Sequence, residues 1–269
     1  MNTKSCNLEF DANSGANKHF LALRKGELCF PDIDYGKNNC VLHDTKRLGT
    51  SIKKIYKILS DAGYCSALLS CVDPQSSKIA EQVSGLESAI IKGVAEYHRH
   101  QNDELLMRIF HSIQFWGGGE GRSIYVRPKE KGTYSERFKH NFGSGAYYKT
   151  LIERILKENE SREDKSKDLE QCTDSIKNWG LSFASKHMNF ISKEVQPSNV
   201  PRWYVFDSII SMACFGEPTP VWKSYVTYCH ELENYAKKRG VTGDQFERAL
   251  FNYLQDDPVG QLWGALRCR

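Results

Sequence analysis

Trp179-Gly180-Leu181-Ser182-Phe183-Ala184-Ser185-Lys186-His187-Met188-Asn189-Phe190 is the stretch on which the fold turns. Upstream of it Leu169, Cys172, Ile176 and Trp179 recur at helical spacing. That stripe runs into Gly180, a residue suited to ending a helix. Downstream, the small–apolar–small step Ser182-Phe183-Ala184 leads into a new helix. The pattern predicts two helices joined by a tight turn at about residues 170–192, with Lys186 in the opening turns of the second. A helix N-terminus disfavours a nearby cation, so a lysine there is an unusual choice. Taken alone, Lys186 is also compatible with an ordinary surface position.

The next informative segment is Tyr204-Val205-Phe206-Asp207-Ser208-Ile209-Ile210-Ser211. An extended apolar approach meets an aspartate, and Ile209, Ile210, Ala213 and Cys214 then follow at helical spacing. Asp207 suits a helix N-cap, and capping by itself explains it. A carboxylate fixed at a cleft can also stabilise a developing cation.

Before the hinge stands Gln114-Phe115-Trp116-Gly117-Gly118-Gly119-Glu120-Gly121-Arg122, with four glycines in five positions. No Gly-Lys-Ser/Thr follows, so this is not a Walker phosphate loop. It reads as a helix cap and turn with Trp116 packed in the core. Alternatively, Arg122 and backbone amides meet a phosphate while Trp116 meets a base.

Further out, apolar residues recur at helical spacing almost throughout. Ile52, Ile55, Tyr56 and Leu59 form one stripe; Val83, Leu86, Ile90, Ile91 and Val94 belong to another. Leu105, Leu106, Ile109, Phe110 and Ile113 form a third, with more in the second half of the chain. Such periodicity predicts amphipathic helices on a common core, so the architecture is mainly α. Ser123 to Arg127 is the one tempting strand, and Phe30 to Gly36 reads as turn chemistry. The charged run Lys157 to Asp168 reads as a solvated helix end or linker. A division near residue 100 separates an N-terminal region, 1–100, from a helical region, 101–269.

Composition narrows the function classes. The chain has 269 residues with a net charge of +4, too small for a generic nucleic-acid coat. No apolar run approaches the roughly 20 residues of a membrane span, and the first ten residues lack an export-signal core. Nine cysteines, an odd number with no CxxC pair, read as reduced thiols of a cytoplasmic protein and argue against a zinc ribbon.

Together these segments resemble the helix-hairpin-helix DNA glycosylases, in particular bacterial proteins of the 8-oxoguanine glycosylase fold. Residues 181–186 align with the hairpin and place Lys186 on the family's catalytic lysine. Val205-Phe206-Asp207-Ser208-Ile209 aligns with the second element and places Asp207 on the essential aspartate, 21 residues later. Trp116-Gly117-Gly118 and Gly121 to Val126 also look like the bacterial subgroup. Leu181, Ser182 and Ala184 stand where the hairpin has proline and two glycines, and Ile209 follows Ser208 where a histidine is usual.

The resemblance implies a bundle of two helical lobes flanking a cleft. It implies an enzyme that flips a modified base from double-stranded DNA and excises it. It further implies that Lys186 forms a Schiff base, with associated abasic-site lyase activity. Arg122, Trp116, Ser182, Ser185 and His187 are expected to contact the DNA, Lys139 and His140 less so. After Asp207 only Cys214, Cys229 and Cys268 remain, too few for a four-cysteine iron–sulfur cluster, so no metal or cofactor is expected. A monomer is expected. Three activities stay open: excision of 8-oxoguanine, excision of a hypermodified base from phage DNA, and DNA binding without catalysis.

Overall fold

The computed structural model describes residue 30 and residues 45–69, 73, 76, 78–117, 122–126, 132–194 and 200–255. The turn read at 31–36 and the glycines at 118, 119 and 121 lie outside the described residues.

Among the described residues there are ten α-helices and no strand. They are α1 (Thr45–Asp61), α2 (Ile79–His100), α3 (Asp103–Trp116), α4 (Tyr134–Phe142) and α5 (Ala146–Leu156). There follow α6 (Arg162–Ser175), α7 (Leu181–Glu194), α8 (Ser208–Phe215), α9 (Trp222–Lys238) and α10 (Gly243–Gln255). The periodic stripes are the buried faces, as expected for amphipathic helices. Leu105, Leu106, Ile109, Phe110 and Ile113 all point into one continuous core, as do Val83, Leu86, Ile90 and Val94.

The helices start where their first amide groups find side-chain acceptors. Asn102 accepts from Leu105 N–H at 3.0 Å to begin α3. Thr133 with Glu136 and Ser161 with Asp164 form capping boxes at α4 and α6.

Helix α7 is the hub. It packs against α2, α3 and α5 on one side of the fold and against α6 as well. Helices α8, α9 and α10 form a second set, with α6 packed on α9. The two helices read at about 170–192 are thus α6 and α7.

Their junction differs in detail from the sequence reading. Helix α6 ends at Ser175, before Trp179-Gly180, because neighbouring elements capture the link. Lys177 N–H donates to the Asn141 carbonyl at 3.1 Å, and Asn178 Nδ2 donates to Asn141 Oδ1 at 3.1 Å. Asn178 supplies the left-handed turn, at φ 57°, that a glycine was expected to make. Ser123 Oγ donates to the Asn178 carbonyl at 2.9 Å.

The segment read as a strand is instead a helical turn over its described part, 122–126. Tyr125 and Val126 both donate to the Arg122 carbonyl at 2.9 Å, which closes the backbone locally and buries Ile124 and Tyr125. The charged run from Lys157 is part link and part helix. Within it Lys165 is fully buried, donating through Nζ to the carbonyls of Ile155 and Lys157 at the end of α5.

Candidate active site

Helix α7 carries three polar residues at i, i+4 and i+7: Ser185, Asn189 and Ser192. All three are buried, at 0%, 1% and 0% exposure, so each needs a partner. The partner is the extended segment 202–206, which has no backbone ladder of its own. Ser192 Oγ accepts from Trp203 N–H at 3.0 Å, and Asn189 Nδ2 donates to the Trp203 carbonyl at 3.0 Å. Ser185 Oγ accepts from Phe206 N–H at 2.9 Å. The helix therefore holds the segment through side chains spaced one turn apart, much as a neighbouring strand would hold it through its backbone.

The last of these bonds joins the backbone next to the two sequence-predicted residues. Ser185 precedes Lys186 and Phe206 precedes Asp207, so a single hydrogen bond joins the positions immediately ahead of both. Lys186 is 7% exposed and Asp207 6%. Lys186 Nζ lies 4.3 Å from the centroid of the Phe183 ring, a cation–π contact one turn back on α7. Among the described residues no carboxylate lies within ion-pair distance of it.

Asp207 is the N-cap of α8, as its sequence context predicted. Its Oδ1 accepts from Ile209 N–H and from Ile210 N–H, both at 3.0 Å. Among the described residues neither bond, nor any other, falls on Oδ2. One oxygen is thus fixed by the helix.

The remaining predicted positions separate into two groups. Trp116 lies near the site: its Nε1 donates to Glu87 at 2.9 Å, and its ring meets Phe190 edge-on at 4.9 Å. Gly117 presses directly on Phe183. A Cβ there would stand 2.7 Å from the Phe183 ring that lies against Lys186, which is why the chain needs glycine. Arg122 is exposed in its helical turn, and Ser182 is half-buried, its carbonyl accepting from Ser185 Oγ at 3.1 Å.

His187 and Ser185 belong instead to the interior. His187 is fully buried among Phe110, Tyr148 and Trp179, with Nδ1 2.8 Å from the Tyr148 hydroxyl. Burial, reinforced by the Lys186 charge and His111, holds its imidazole well below the ordinary histidine range. It packs behind the lysine and offers no surface to a phosphate. Ser185 likewise spends its hydroxyl on the 206 amide. Lys139 and His140 are exposed on α4.

Several residues that hold the site went unnoticed in the sequence. Arg162 is buried and donates twice to the Arg202 carbonyl, at 2.9 and 2.7 Å, and pairs with Glu233 at 2.5 Å. Glu247, on α10, accepts from Val205 N–H and from Asn189 Nδ2, the latter at 3.3 Å. The readable signal for Asn189 was its place in a polar stripe inside an otherwise apolar helix. Glu247 gave none, because its partner is a backbone amide 42 residues away.

No helix among the described residues is long and apolar enough to cross a membrane, and none of them forms a cluster of three or more metal-ligating side chains. No curated protein and no solved structure matches the chain. A family model does, over residues 88–251, and its description reads "Putative 8-oxoguanine DNA glycosylase OGG-like protein". The matched span contains Lys186, Asp207 and the elements that hold them, from α3 to Glu247. The chain therefore belongs to the OGG-like glycosylase family that this model describes.

Proposed function

We propose that the protein excises a modified base, of the 8-oxoguanine type, from duplex DNA and then cleaves the strand at the resulting site. The observation that carries this reading is the Ser185–Phe206 bond of 2.9 Å, which holds a buried lysine and a buried carboxylate on adjoining backbone. Base excision inside a duplex requires the nucleotide to be extruded first. Breaking the N-glycosidic bond then develops positive charge on the sugar, and a fixed carboxylate beside that carbon stabilises it. Asp207 Oδ2 fills that role while Oδ1 keeps the carboxylate in place.

Lys186, as the uncharged amine, attacks the sugar C1′. The glycosidic electron pair leaves with the base, which takes up a proton. The remaining aminal opens its ring to an imine between Nζ and C1′. Loss of a C2′ proton then expels the 3′-phosphate, and hydrolysis of the imine returns the amine. Phe183 and Gly117 set the height of the lysine above the hub helix.

Borohydride trapping tests the scheme. Wild type should form a covalent adduct with duplexes containing 8-oxoguanine or an abasic site, and Lys186→Gln should form none. An adduct that persists in Lys186→Gln removes the lysine from this role. Asp207→Asn should bind duplex DNA normally yet excise at least about a hundredfold more slowly. A parallel panel carrying uracil, alkylated bases and glucosylated hydroxymethylcytosine identifies the base; excision confined to the last replaces the oxidised-purine reading.

A further inference from the structure

The carboxylate of Glu247 does not touch the proposed reacting groups, yet it accepts the amide hydrogen of Val205, two residues before Asp207. Its other oxygen accepts from Asn189 Nδ2 at 3.3 Å, and the same amide nitrogen donates to the Trp203 carbonyl at 3.0 Å. Glu247 and Asn189 thus grip the segment from two helices, α10 and α7. The carboxylate is buried, at 8% exposure, so its bonds are not exchanged for water. We infer that ionised Glu247 is a positioning residue for base excision, which sets Asp207 by clamping the Val205 amide. The inference rests on the catalytic reading of Asp207.

The geometry distinguishes the two protonation states. An ionised carboxylate is acceptor-only and suits two donors that converge on it. Protonation turns one of the two accepting oxygens into a hydroxyl, a weaker acceptor, so the grip on one of the two N–H groups loosens. Burial, opposed by Lys193 and the Val205 amide, pushes Glu247 up from 4.5 to about 7. Lys193 on α7 and Arg202 on the segment favour its charge, and Asp244 on its own helix opposes it. Behind it on α9 stand Tyr225, Tyr228 and Cys229, all held protonated by burial. Asp207 acts on the same Tyr228, and Arg162 and Glu233 are paired with each other. Burial thus brings the charge change of Glu247 close to neutrality.

Function and stability then respond to pH in opposite senses. A buried carboxylate with a raised value favours the folded state when protonated. From about pH 4.5 to about pH 7 that contribution is lost, just as the ionised clamp that excision requires appears.

The test compares the full-length wild type with Glu247→Gln, Glu247→Leu and Asp207→Asn, using duplexes carrying 8-oxoguanine or an abasic site. Glutamine keeps one acceptor but turns an amide donor toward Asn189; leucine keeps neither bond. The expected single-turnover rates at pH 8 are about tenfold lower for Glu247→Gln and about a hundredfold lower for Glu247→Leu, with unchanged duplex affinity. Wild type should show an acid limb near pH 7 that Glu247→Gln lacks. Its melting temperature, relative to Glu247→Gln, should fall as the pH rises across that range. Wild-type rates and profiles in both Glu247 variants, with Asp207→Asn inactive, overturn the clamp and leave the catalytic reading standing. Full activity in Asp207→Asn, or a wild type inert on both duplexes, overturns the catalytic reading and the clamp with it. Where Glu247→Leu fails to fold, the glutamine variant decides: a relative melting temperature that does not fall with rising pH sinks the proposal.

Discussion

Asp207 Oδ1 receives both cap hydrogen bonds of α8, at 3.0 Å each. Capping engages one oxygen of the side chain, so substitutions can separate it from the catalytic role proposed for the other. Serine is a good N-cap but carries no charge. Asp207→Ser is expected to melt within a few degrees of wild type while losing excision; Asp207→Ala should lose excision and also about 1 kcal/mol of stability in a denaturant titration. Equal loss of stability in both would mean that the second oxygen also has a structural role. Gly117 offers a test from the other side. A Cβ there would come within 2.7 Å of the Phe183 ring, and that ring lies 4.3 Å from Lys186 Nζ. Gly117→Ala should cost about 1–3 kcal/mol and slow borohydride trapping, because the ring must move and the amine with it. An unchanged trapping rate would show that the ring does not set the lysine. At this scale the sequence was informative where residue type and position decide local structure, as for the Asp207 cap of α8 and the place of Lys186 on α7. It was silent for Glu247, whose partner is a peptide group and leaves no mark in side-chain identity.

Helix α7 combines an apolar face with a polar stripe that are both buried, so a hydrophobicity pattern reveals only half of it. The apolar half was legible, and it located the helix and its turn. Ser185, Asn189 and Ser192 were not legible as a set, because burial of a polar stripe depends on the segment that comes to lie on it. Replacing Asn189 by leucine leaves the Trp203 carbonyl and Glu247 short of a donor. That should cost about 1–3 kcal/mol and shift the excision rate more than duplex affinity, measured by chemical denaturation and single-turnover kinetics. A loss of affinity alone would place Asn189 outside the catalytic assembly. The strand read at Ser123–Arg127 shows the converse limit. Ile124 and Tyr125 have strand-forming side chains, yet Arg122 closes the backbone into a turn and Asn141 Nδ2 takes the Ile124 carbonyl at 2.8 Å. Tertiary capture overrode local preference there, as it did when Asn141 cut α6 short of Trp179.

Across the whole molecule, buried titratable groups govern the response to acid. Burial holds His111 down from 6.5 to about 3, and His187 is held well below 6.5 by burial and the nearby Lys186 charge. A histidine kept neutral contributes stability that is complete above its unfolded value, near 6.5, and is lost as the pH falls toward its folded value. Glu247 acts oppositely, gaining on the order of 3 kcal/mol as the pH drops from about 7 to 4.5. Two histidines outweigh one carboxylate below pH 6.5, so melting temperature should decline from there toward pH 4. The decline should be shallower in His111→Phe, which forfeits only the 2.7 Å bond to Tyr125; an equally steep decline would mean that other groups control acid unfolding. The helical architecture was legible because apolar residues recur at helical spacing almost throughout the chain. The arrangement around α7 was not, since no periodicity states which helices meet.

The spacing of the site's parts along the chain also gives it an order of assembly. Lys186 and Asp207 are both present once residue 207 has been synthesised, but the acceptor for the Val205 amide arrives only 42 residues after it. A nascent chain emerging from the ribosome thus carries Lys186 and Asp207 before it carries the Glu247 acceptor. The segment that leads to Asp207 therefore gains its last hydrogen-bond acceptor only when the last described helix docks.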